Sequence, residues 1–120
     1  MPTVYYLKTC STCTRIMSRF DLTGWELREL KSQPLSAEEL QGLYQHTHSY
    51  EALFSKRSAQ IKARGLILND LTESDFRALL LSHYSFLKRP VFVTENEIFI
   101  GNSHHTIERL DQYFYRKNRD

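Results

Sequence analysis

The stretch Thr3-Val4-Tyr5-Tyr6-Leu7-Lys8-Thr9-Cys10-Ser11-Thr12-Cys13-Thr14-Arg15-Ile16-Met17-Ser18-Arg19-Phe20 decides how the rest of the chain is read. Thr3 to Leu7 is a β-branched and aromatic run, the signature of a buried strand. Lys8 to Thr12 interrupts it with small polar residues, among which Ser11 or Thr12 suits a helix N-cap. From there Cys13, Ile16, Met17 and Phe20 recur at i, i+3, i+4 and i+7, one face of a helix. Gly24 closes that helix. Trp25-Glu26-Leu27-Arg28 then alternates apolar and polar, so Trp25 to Leu30 is expected to be a second strand. The opening is a βαβ unit with a C-x-x-C pair in its first loop.

Downstream, Ser36-Ala37-Glu38-Glu39 reads as a capping box, in which the serine hydroxyl and Glu39 satisfy free amides at a helix start. Leu40, Leu43 and Tyr44 follow at helical spacing. Thr72-Glu73-Ser74-Asp75 repeats the signal ahead of Phe76, Leu79 and Leu80. Between the two, residues 50–68 suggest one or two short helices, with Gly65 as a break. Pro90 to Thr94 and Glu97 to Ile100 flank a tight Glu95-Asn96 turn and predict a hairpin. Asn102 or Ser103 then caps a last helix carrying Ile107, Leu110 and Phe114 on one face. The order βαβ, helices, ββα predicts one α/β domain over residues 1–120, with its extra helices inserted in the middle.

The 120 residues carry 16 Lys and Arg against 14 Asp and Glu, a net charge of +2. That balance does not call for nucleic acid as a direct partner. The basic groups Lys56, Arg57, Lys62 and Arg64, and Arg116, Lys117 and Arg119, fit solvated helix faces. Apolar runs such as Ala78-Leu79-Leu80-Leu81 are far shorter than the ~20 residues of a membrane span. Met1-Pro2-Thr3-Val4 lacks the basic and apolar segments of a signal peptide, so a cytoplasmic protein is expected.

In a reducing compartment a close cysteine pair is rarely a staple. Cys10 and Cys13 are then a redox couple, half of a metal site, or a core residue with an incidental neighbour. A zinc site needs two further ligands from His46, His48, His83, His104 and His105, whose spacings are not the usual ones. For the redox reading, Cys10 lies just ahead of the first helix, where free N–H groups and the macrodipole favour thiolate. Cys13 shares the apolar stripe and should be sheltered. Lys88-Arg89-Pro90-Val91 adds a proline at a strand start, compatible with a cis bond. Beside it, Arg89 is either a permanent cation for an oxyanion or thiolate, or a surface arginine.

With these residues in view, the chain resembles the arsenate reductase/Spx family. The likeness runs through Val4-Tyr5, Cys10-Ser11-Thr12-Cys13, Pro34-Leu35-Ser36-Ala37-Glu38-Glu39-Leu40, Phe54-Ser55-Lys56-Arg57-Ser58, Leu87-Lys88-Arg89-Pro90-Val91 and Ile100-Gly101. The resemblance implies a thioredoxin-like fold, with a four-stranded mixed sheet and an inserted helical segment. Beside Cys13, which the C-x-x-C spacing reads as a sheltered resolving thiol, it implies Cys10 as the reactive thiol, Arg57 and Arg89 facing an anion or thiolate, and Pro90 as a groove-shaping cis-proline. It also implies a thiol–disulfide oxidoreductase, acting as a monomer on a small thiol, a disulfide or a redox protein. No cofactor would be bound; glutathione, glutaredoxin or thioredoxin would serve as external reductant. The Spx branch implies instead a redox-switched regulator that binds the C-terminal domain of the RNA polymerase α-subunit. Tyr6 and Asn102 stand where arsenate reductases of this family carry a histidine and a third arginine. Cys13 supplies a second thiol those enzymes lack. The site is therefore expected to bind oxyanions weakly.

Overall fold

A computed structural model describes residues 1–119. Its contacts gather into two compact units, Met1–Glu29 with the chain from Arg89 onward, and Leu30–Lys88.

The first unit is built on a four-stranded sheet in the order β2-β1-β3-β4. Strand β1 (Thr3–Tyr6) pairs in parallel with β2 (Glu26–Glu29) and antiparallel with β3 (Val91–Val93), which forms the expected hairpin with β4 (Ile98–Ile100). Thr94 and Glu97 close the hairpin: the Thr94 N–H donates to the Glu97 carbonyl at 2.8 Å. Central β1 is covered on both edges, which suits its near-continuous apolar run. One sheet face presents Val4, Phe92 and Phe99. Ile16 from α1 (Ser11–Met17) and Leu110 and Phe114 from α5 (His104–Arg119) complete this core. Phe20 stacks on Phe114 at 4.4 Å between centroids, and Trp25 meets Phe92 edge-on at 5.7 Å. Such ring pairs add to the burial of apolar area.

Two sequence expectations shift here. The first helix stops at Met17 instead of running towards Gly24, because the chain tightens: the Arg19 and Phe20 amides bond the carbonyls three residues back. Phe20 keeps its place in the core by stacking rather than by helical register. The alternation also breaks within β2: Trp25 packs against the core and Glu26 is exposed as expected, but the next pair is reversed. Leu27 is 49% exposed, whereas Arg28 is buried and lies 5.7 Å from the Tyr5 ring centroid. Strand β2 is an edge, and its register sets Arg28 beside Tyr5. A long aliphatic stem with a flat cation can cover an aromatic ring there.

The second unit is helical: α2 (Ala37–Thr47), α3 (Ala59–Ala63) and α4 (Glu73–Ser82), joined by short 3-10 turns. Both capping boxes form. Ser36 Oγ accepts from the Glu39 N–H at 3.0 Å while Glu39 Oε1 accepts from the Ser36 N–H at 2.9 Å. Thr72 and Asp75 repeat the pattern. The unit's buried side chains include Leu40, Leu43, Leu53 and Leu80, and Phe54 packs against Phe76 and Phe86 at 4.9 and 5.2 Å between centroids. Gly65 adopts φ +66°, the left-handed conformation expected of a break between helices. No helix among the described residues is long and apolar enough to cross a membrane.

Candidate functional site

The dithiol loop grows out of the end of β1. The Cys10 N–H donates to the Leu7 carbonyl at 3.1 Å, closing a turn over Lys8 and Thr9. Cys10 is then the residue that caps α1, one position earlier than the predicted Ser11 and two earlier than Thr12, and its carbonyl accepts the first helical bond from the Thr14 N–H. Its backbone is extended (φ −90°, ψ 108°), as an N-cap requires. Cys13 lies one turn inside and is fully buried; Cys10 is half-buried; both thiols are free.

Their ionisation is pushed in opposite directions. For Cys10, burial opposes the charge but is outweighed by the Cys13 N–H and thiol, the Arg89 cation and the Thr12 N–H. Its pKa falls below the ordinary thiol value. Cys10 makes no tight cap hydrogen bond, so these N–H groups act on the sulfur as oriented dipoles. For Cys13, burial dominates and pushes the pKa up to about 12, with the neighbouring Cys10 sulfur adding to the rise. The Leu7 N–H and Arg89 work the other way on Cys13 without reversing it. One thiol is primed to ionise and its neighbour to keep its proton.

Arg89 stands two residues before the strand that pairs with β1, with Pro90 between them, and its Nε is buried. The Arg89–Pro90 peptide is cis, as expected, and Pro90 is buried. The chain after β4 holds this segment from the other side. The Gly101 N–H donates to the Pro90 carbonyl at 2.9 Å, and Asn102 Nδ2 donates to the Arg89 carbonyl at 3.3 Å. Gly101 takes φ +82°, which leaves its amide free to point back at the strand start.

The structure thus brings Cys10, Cys13 and Arg89 together. Arg57 belongs to the second unit, where it is exposed on a turn and its N–H meets Ser55 Oγ at 3.4 Å. Two side chains at the site went unselected from sequence as contributors: Asn102, noted as a departure and as a candidate helix cap, and Glu29. Glu29 Oε2 accepts the Lys8 N–H at 2.9 Å. Only the strand register brings it there, and a register is not readable from residue types. Among the described residues no group of three or more His, Cys, Asp or Glu is placed to hold a metal ion.

A β-sheet with a dithiol at the entrance to its first helix and a cis-proline beside it defines a thioredoxin-like protein. The chain belongs to the ArsC family, whose profile matches residues 5–110. It is similar to the global transcriptional regulator Spx of Lactiplantibacillus plantarum, with 25% identity over 92% of this chain and 86% of that protein. The Spx regulator of Enterococcus faecalis is 27% identical over the same shares. Among solved structures, a possible arsenate reductase from Streptococcus mutans UA159 superposes with a TM-score of 0.71 at 26% identity, covering 92% of this chain and 98% of that one.

Proposed function

We propose that this protein is a thiol–disulfide oxidoreductase in which Cys10 attacks and Cys13 resolves. The observation that carries this reading is the placement of two free thiols, Cys10 half-buried at the entrance to α1 and Cys13 fully buried one turn inside, with Arg89 close by. Cys10 thiolate attacks one sulfur of a substrate disulfide, forming a mixed disulfide and releasing the other sulfur as thiolate. That leaving group takes up a proton. Cys13 then loses its proton and attacks the Cys10 sulfur, giving the Cys10–Cys13 disulfide and releasing the second substrate sulfur as thiolate, which is protonated in turn. Two electrons pass from protein to substrate. Arg89 steadies negative sulfur at each stage, Pro90 shapes the groove, and Arg57 is a candidate for holding an anionic substrate. No bound cofactor takes part; glutathione, glutaredoxin or thioredoxin returns the two electrons, in a cytoplasmic setting.

Mass spectrometry of the mildly oxidised, folded protein is expected to show the loss of two hydrogens, mapped to a Cys10–Cys13 link. The reduced protein is expected to turn over a model disulfide with a thiol reductant. Two free thiols in the oxidised, folded chain would overturn the dithiol mechanism.

A second reading is favoured by the relatives that are transcriptional regulators. In it the same disulfide alters a protein-binding surface, with the C-terminal domain of the RNA polymerase α-subunit as partner. Capture of that domain by one redox form only, without disulfide turnover, would select the regulator. Turnover without capture would select the enzyme.

A further inference from the structure

Resting on the dithiol reading, we propose that Glu29 is a positioning residue for the thiol site, its carboxylate fixing the turn that delivers Cys10 and the amide facing Cys13. Strands β1 and β2 pair in parallel as far as Tyr6 and Glu29. Beyond Tyr6 the β1 backbone has no further rung on that edge. Two residues on, the Lys8 N–H donates instead to Glu29 Oε2 at 2.9 Å. The carboxylate therefore extends the ladder past its end with a charge-assisted bond, a stronger class than an ordinary amide–carbonyl pair.

What it extends is the segment on which both thiols depend. Lys8 follows Leu7, whose N–H faces the Cys13 sulfur and whose carbonyl receives the Cys10 N–H at 3.1 Å. Freeing the Lys8 amide loosens both contacts at once. A turn held at one end only can rotate Cys10 away from the Thr12 and Cys13 amides and from Arg89, the groups that favour its thiolate. The bond Glu29 makes is to the Lys8 amide, so the influence argued here passes through the backbone.

Position and charge make opposite predictions here. A carboxylate acting only through its negative field would disfavour a nearby thiolate, and removing it would make Cys10 more reactive. A carboxylate acting as a tether would make Cys10 less reactive when lost. Glutamine separates the two, because it keeps a side-chain acceptor and drops the charge.

The test uses the full-length reduced protein and iodoacetamide, with each cysteine located by peptide mass spectrometry across a pH series. Glu29→Ala is expected to slow Cys10 labelling at pH 7 about three- to tenfold and to move its pH profile upward, as a weaker thiolate requires. Glu29→Gln is expected to restore most of the rate and the profile. An unchanged rate in folded Glu29→Ala, or faster labelling in Glu29→Gln, would overturn the positioning role. Should Glu29→Ala fail to fold, Glu29→Gln alone decides between parent-like and accelerated labelling. If Cys10 of the unaltered protein labels no faster than Cys13, the dithiol reading itself falls. If Cys10 labels first and Glu29→Ala leaves it so at full rate, only the role of Glu29 falls.

Discussion

At the scale of single residues, the two thiols are chemically unequal because one turn of helix separates an entrance from an interior. Alkylation at neutral pH is expected to reach Cys10 first; Cys10→Ser should abolish rapid labelling and Cys13→Ser should retain it. Arg89→Ala should slow the reaction without unfolding the chain, as followed by circular dichroism beside the labelling rate. Linkage adds a second expectation. The folded state holds the Cys13 proton up to about 12, above the ordinary 9.0. Cys13 therefore contributes stability below the unfolded value that is lost as pH rises from 9.0 towards 12. Urea titrations of reduced protein should show that decline, and Cys13→Ala should flatten it. Cys10 has the opposite sign: its lowered pKa contributes stability above the unfolded value, lost as pH falls through the folded one. The order strand, polar break, apolar stripe made this inequality legible in the sequence. The proximity of Arg89 to the thiols was not, because it depends on pairing β1 with a strand from the far end of the chain.

At the scale of elements, local chemistry was readable and register was not. Ser36 with Glu39 and Thr72 with Asp75 announce helix starts because their bonds span three residues. The hairpin and the Gly65 break were likewise written in neighbouring residues. The α1 stripe, by contrast, overstated its helix, since Phe20 reaches the same core from a tightened turn. Strand β2 misled in another way. A lone alternating run cannot say which of its faces is inward when it forms an edge. Its reversed Leu27–Arg28 pair gives a sharp comparison: Leu27→Thr should change stability by no more than about 0.5 kcal/mol, being a surface substitution. Arg28→Ala, which strips a buried side chain from the Tyr5 ring, should cost about 1–3 kcal/mol. Chemical denaturation of both variants measures the difference, and a costlier Leu27→Thr would contradict the observed orientation.

At the scale of the whole molecule, the class was legible and the division of the chain into two contact units was not. A βαβ opening, central helices and a ββα close leave few arrangements other than a mixed sheet with an insertion. Yet a run of helices between the two halves of a sheet unit carries no mark of where one core ends and another begins. The sheet order has a temporal consequence. Val4 pairs with Phe92, and the cation beside Cys10 is residue 89, so the thiol leaves the ribosome long before its activating surroundings exist. Chains emerge from the N-terminus at about 5–20 residues per second, and an unfinished one carries Cys10 on a segment with no third strand to dock against. Ribosome-stalled chains ending before Arg89 should therefore label at the rate of a free cysteine, and full-length released chains faster. On the dithiol reading, reactivity arrives with the chain from Arg89 onward, so a product truncated before that residue is expected to be chemically quiet.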